Sequence, residues 1–180
     1  MANAFDAPDG TVVMDVVAYA SMFNENLRGP DAKGALERWT IDPVTKSVKR
    51  QVIDAQPQEF PRPDERRFGQ PYRYIYASAS PSADEGVPAG SRLLKHDMEG
   101  GTRQVHDFGL GRHPGEFVFV PASADSAEDE GWLIGFVVDS EHETTDLVIL
   151  DAQAFEGEAV AAVHLPHRVP PGFHGNWVPN

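Results

Sequence analysis

The sequence repeats itself. Three apolar segments each run into an aspartate, turn and come back: Leu36 to Asp42 returning through Val48 to Ile53, Leu93 to Asp97 through Arg103 to Phe108, and Thr145 to Asp151 through Ala159 to Leu165. The aspartates at 42, 97 and 151 fall 55 and then 54 residues apart. A second series sits in the same phase. Glu59-Phe60-Pro61, Glu116 to Pro121 and His174 to Pro179 each begin on a polar residue and close on proline, and their leading residues are 57 and 58 positions apart. Each period holds about four short strands, for example Glu116 to Val120, Trp132 to Asp139, Thr145 to Asp151 and Ala159 to Leu165. Repeated four-strand units of this size are the mark of β-propeller blades rather than of a sandwich. The fifteen prolines and sixteen glycines agree, because they cut the chain into short pieces rich in the residues that suit a pleated surface. The fold class is all-β, with little helix expected outside Ser21 to Leu27.

Blades stack radially, so equivalent positions on successive innermost strands face a common axis. The shared phase therefore predicts that Glu59, Glu116 and His174 lie on neighbouring innermost strands and converge near a central channel. Propellers close with four to eight blades, whereas 180 residues at this period supply roughly three. An incomplete β-propeller is expected, with the previous axial position at or just before Met1. Its uncovered blade faces should make the isolated chain unstable or self-associating.

Composition removes several functions. A formal charge of −13 gives no surface on which Lys and Arg could displace counterions from phosphates, so nucleic acid is not an expected partner. No cysteine is present, which excludes disulfides, thiolate metal sites and a cysteine nucleophile, and a reducing cytoplasmic location suits the chain. The longest apolar run, Trp132 to Val138, is too short to span a bilayer. No serine has a nucleophile-elbow context.

The final stretch runs Leu165-Pro166-His167-Arg168-Val169-Pro170-Pro171-Gly172-Phe173-His174-Gly175-Asn176-Trp177-Val178-Pro179. It resembles the C-terminal iron-ligand motif of the carotenoid cleavage oxygenases. Three further stretches extend the resemblance over nearly the whole chain. They are Asn3-Ala4-Phe5-Asp6 with Asp9 to Asp15, Gln58-Glu59-Phe60-Pro61-Arg62 with Arg73-Tyr74-Ile75-Tyr76, and Gly115-Glu116-Phe117-Val118-Phe119-Val120-Pro121, where the family more often has proline at the place of Phe117. The resemblance implies that residues 1–180 form the C-terminal section of a seven-bladed propeller domain. It implies a non-haem Fe(II) dioxygenase that splits a carbon–carbon double bond of a carotenoid, apocarotenoid or stilbene-like substrate with O2, giving carbonyl products. His174 would be the last of four histidine ligands, the third falling just before the chain's first residues. Glu59 and Glu116 would each orient the ring of a histidine from an upstream blade, as carboxylates commonly do for metal-bound imidazoles. Phe60, Phe117, Phe173 and Trp177 are candidate apolar walls for the conjugated substrate, with core packing weighed as their other role.

With one of four ligands, the isolated chain is expected to be inactive without the missing N-terminal blades. A different class of function stands beside this one: a catalytically silent, truncated propeller segment that binds an apolar ligand or a partner chain. His164, His167 and His174 could be assembled into a zinc site on paper, but no H-E-x-x-H spacing supports it. His96 and His106 in a hairpin, and His113 and His142 in loops, are expected to face solvent.

Overall fold

The computed structural model describes residues 1–21, 34–80, 90–170, 172 and 174–178. Among them are three antiparallel sheets, each a four-strand meander in chain order. The first contains β1 (Asn3–Asp6), β2 (Val12–Ala18), β3 (Ala35–Asp42) and β4 (Ser47–Asp54). The second contains β5 (Gln58–Arg62), β6 (Tyr74–Ala79), β7 (Arg92–Asp97) and β8 (Thr102–Asp107). The third contains β9 (Arg112–Pro121), β10 (Gly131–Asp139), β11 (Thr144–Asp151) and β12 (Ala161–Leu165). The only helical element among the described residues is a short 3-10 turn, Glu65–Arg67. The all-β fold of three propeller blades follows directly, with β5 and β9, the first strands of adjacent blades, packed against each other.

The periodic aspartates have a structural reason. Asp42 Oδ1 accepts from the backbone N–H groups of Val44 and Thr45 at 2.8 and 3.1 Å. Asp97 does the same for Glu99 and Gly100 at 3.1 and 2.8 Å, and Asp151 for Gln153 and Ala154 at 2.8 and 3.3 Å. Each carboxylate thus closes the turn between the third and fourth strands of its blade, a role suited to the short Asp side chain.

The blades meet through two cores. Ala2, Leu36, Tyr72 and Ile75 fill the seam between the first and second sheets. Tyr76, Leu93, Phe117, Leu133, Leu150 and Phe155 are among those filling the seam between the second and third. On β10 the alternation puts Leu133 and Val137 inside, while Trp132 and Phe136 on the opposite face stay 39% and 45% exposed. Both faces of this strand are therefore apolar, the pattern of a sheet meant to be covered on two sides.

Three expectations need amendment, and a fourth falls outside the described residues. Residues 174–178 form no strand, so His174 is not carried on an innermost strand as the shared phase predicted. The Ser21 to Leu27 helix lies outside the described residues except for Ser21, which is coil. His96 does not face solvent: it is 3% exposed, with Nε2 2.9 Å from Gln58 Oε1. It alternates into the seam between the first and second blades, where Asp54 and Arg103 also meet at 2.7 Å. His113, likewise, lies within β9 rather than in a loop.

Burial lowers the His96 pKa to about 4, with Asp54 opposing that effect and Arg103 adding to it. The folded state then binds this proton more weakly than the unfolded chain, whose imidazole titrates near 6.5. The stability from neutral, buried His96 is complete above about pH 6.5 and drains away as pH falls towards 4, by on the order of 3 kcal/mol in all. Glu59 acts in the opposite sense, since its pKa is raised by burial. Urea titrations across this window should show a steep fall for the native chain and a flatter profile for His96→Gln; identical slopes would remove His96 as the cause.

Candidate metal centre

Both carboxylates of the axial series sit at irregularities of their strands. The β5–β6 register shifts between Glu59 and Arg62, leaving Phe60 at φ 53, and the β9–β10 register shifts where Gly115 and Glu116 oppose Phe136. A β-bulge adds a residue, bends the strand and re-aims its side chains. A non-glycine residue in the left-handed region is held there only by its surroundings. The same blade position is thus distorted twice, once beside each glutamate.

Glu116 is the centre of the arrangement. Its side chain is 5% exposed, and His174 Nδ1 lies 3.0 Å from its Oε1. Its Oε2 accepts the Gly175 backbone N–H at 2.9 Å. An ionised carboxylate only accepts, so His174 donates through Nδ1–H and its Nε2 carries the free lone pair. The ring is 72% exposed and meets Phe60 edge-on, with centroids 5.9 Å apart. The sequence reading assigned Glu116 to a histidine from an upstream blade; the structure gives it His174 of its own chain. The pairing crosses 58 residues, one period, so the spacing that marked both residues also separates them.

Glu59 has a different neighbour. Tyr19, directly after β2 in the first blade, donates its hydroxyl to Glu59 Oε1. Burial raises the Glu59 pKa, against the Phe60 backbone N–H and the charged amino terminus of Met1, which both lower it. Tyr19 was not singled out from the sequence, because a lone tyrosine after an apolar strand carries no spacing signal. Gly34 helps to place it, since a Cβ there would lie 2.5 Å from the Tyr19 ring.

The aromatic candidates separate. Phe60 touches the His174 ring and Trp177 is half exposed beyond it. Phe117 points to the other side of β9 and is 2% exposed in the core between the second and third blades. Phe173 lies outside the described residues. The paper zinc site does not assemble: His164 Nδ1 pairs with Asp146 at 2.6 Å, while His174 pairs with Glu116.

The donor chemistry fits a metal through one residue. A neutral imidazole whose far nitrogen is fixed by a carboxylate, leaving Nε2 open, is the usual form of a metal-bound histidine and suits Fe(II). Among the described residues no group of three or more His, Asp or Glu side chains comes together to complete such a site. No helix among them is long and apolar enough to cross a membrane.

The family model described as retinal pigment epithelial membrane protein matches residues 1–179. The carotenoid cleavage oxygenase of Mycobacterium tuberculosis is 39% identical over 173 residues, covering 93% of this chain and 34% of that protein. The apocarotenoid-15,15'-oxygenase of Synechocystis is 34% identical over 98% of this chain and 37% of its own length. The crystal structure of cobalt-substituted Synechocystis ACO superposes with a TM-score of 0.89 at 33% identity, covering 99% of this chain and 39% of that one. The resveratrol cleavage oxygenase 1 of Botryotinia fuckeliana is 30% identical over 98% of this chain and 34% of its own length. The chain spans about a third of the length of the curated relatives it matches. It belongs to the family of the retinal pigment epithelial membrane protein and the carotenoid cleavage oxygenases.

Proposed function

We propose that residues 1–180 are the C-terminal section of a propeller oxygenase, using non-haem Fe(II) and O2 to cleave a carbon–carbon double bond of a carotenoid, apocarotenoid or stilbene-like substrate into carbonyl products. The observation that carries the reading is the His174 imidazole held by Glu116 with Nε2 open. The substrate class rests on the relatives' names, which cover carotenoid, apocarotenoid and resveratrol cleavage. Bound iron would supply the activation of dioxygen. His174 would hold it through Nε2, and Glu116 would keep the ring in the tautomer that leaves this nitrogen free. Upstream blades would bring the remaining ligands. Phe60 and Trp177 would give the conjugated substrate apolar walls on this side, and Phe173 joins them by its place in the motif. The cysteine-free sequence suits a cytoplasmic location.

The test is a chimera that joins this chain to the N-terminal two-thirds of the Synechocystis apocarotenoid-15,15'-oxygenase. It should retain iron and release carbonyl products from an apocarotenoid, whereas the isolated 180-residue chain should release none. Within the chimera, Glu116→Gln should cost about 10- to 100-fold in iron affinity or activity, the usual effect of losing the partner of a metal-bound histidine. A chimera that folds, fills with iron and cleaves nothing would favour a silent binding segment instead.

A further inference from the structure

His174 rides on a segment without a strand of its own, yet the segment holds one position. The tie comes from the second blade. Arg62 at the end of β5 reaches three acceptors: Nη1 lies 3.5 Å from Glu116 Oε1, and Nη2 lies 2.5 Å from Glu65 Oε1 and 3.2 Å from Asn176 Oδ1. Asn176 returns a hydrogen bond from Nδ2 to Glu65 Oε2 at 3.2 Å and accepts the Trp177 N–H at 2.9 Å. One guanidinium therefore joins the carboxylate that orients His174 to the chain two residues beyond His174. Its Nε is buried and has no hydrogen-bond acceptor among the described residues. Leaving such a donor unpaired is costly, so the side chain is placed for its three outward contacts and not for its own satisfaction.

We propose that Arg62 is a positioning residue of the His174 centre, a clamp that with Glu65 and Asn176 fixes the Glu116 carboxylate and residues 174–178 in one geometry. The proposal rests on the reading of His174 as a metal ligand, but the clamp itself is independent of metal. The fork matters: a planar guanidinium can address two carboxylates and an amide together, whereas a lysine ammonium on a flexible stem cannot reproduce that pattern. Glu116 alone could accept from His174 in several ring positions, and with its Oε1 also facing Arg62 it is held to one.

The measurement is the ring nitrogen spectrum of His174 in the metal-free chimera labelled with 15N-histidine, at a pH where imidazole is neutral, assigned by its loss in His174→Gln. The unsubstituted chimera should show His174 mainly as the Nδ1–H tautomer. Arg62→Met and Arg62→Lys should both shift it to mainly Nε2–H, the form favoured by an unrestrained histidine side chain, with the strand spectrum unchanged. Asn176→Ala, at an exposed position, should weaken the preference in the same direction and covers the case in which Arg62 variants fail to fold. In the chimera, cobalt(II) should then bind about 10- to 100-fold more weakly to the Arg62 variants than to the unsubstituted protein. An Nδ1–H tautomer that survives unchanged in Asn176→Ala and in any folded Arg62 variant would overturn the clamp. A tautomer shift together with no cobalt effect on His174 in the unsubstituted chimera would uphold the clamp and remove the ligand reading, so the two failures are distinct.

Discussion

His174→Ala in the chimera is expected to strip the protein of iron and to abolish carbonyl formation. The substitution removes a nitrogen donor outright, and it also leaves the Glu116 Oε1, buried on β9, without its ring N–H. Losing a ligand should therefore exceed the Glu116→Gln effect by at least about tenfold, since outer partners are worth about 10- to 100-fold. Iron by atomic absorption and product aldehydes by chromatography measure the two consequences separately. Full iron occupancy without His174 would refute its assignment as a ligand, while retained iron at reduced occupancy with normal turnover per iron would limit its role to binding.

The largest effect on stability should come from Phe117→Ala. Phe117 is almost fully buried, lies 5.8 Å from the Phe108 ring and presses on Gly135, where a Cβ would sit 2.4 Å from its ring. The cross-strand glycine shows how closely the ring is packed, so little collapse can refill the space. Truncation should cost about 3–5 kcal/mol, a large part of the 5–15 kcal/mol that an ordinary domain possesses. Urea denaturation of the chimera would measure it, and a loss below about 1 kcal/mol would mean that the seam between the second and third blades contributes little.

Much of the architecture was legible because turn chemistry repeats with the blade. Asp42, Asp97 and Asp151 are visible in the sequence for the same reason that they work in the structure: each must stand at the last position of a third strand to reach the two N–H groups beyond it. The Glu59 and Glu116 positions were legible too, although not the bulges that aim them: Pro61 and Gly115 are residues that bulges favour, but neither fixes where the register shifts. What periodicity could not give was partnership. Phase placed Glu116 and His174 at equivalent positions of successive units, but whether equivalent residues touch depends on backbone that leaves the strand pattern, as residues 174–178 do. Tyr19 and Arg62 were missed on similar grounds: each acts through a contact across blades, 40 residues to Glu59 in one case and 114 to Asn176 in the other. His96 was misjudged because hairpin alternation tells only which side a residue faces, and both sides of a middle blade are interior.

The clamp at Arg62 also bears on the order of assembly. Local hairpins close over a few residues, whereas the contacts that seat His174 close loops of 58 and 114 residues, whose entropy must be met before any reward is felt. These contacts also require the second and third blades to be folded and docked, because Arg62 and Glu116 stand on different sheets. Seating of the imidazole is therefore a late event that reports on a finished scaffold. If His174 is a ligand as proposed, a propeller built this way would complete its blades before offering that nitrogen, and a misfolded chain would lack the geometry to capture a reactive metal.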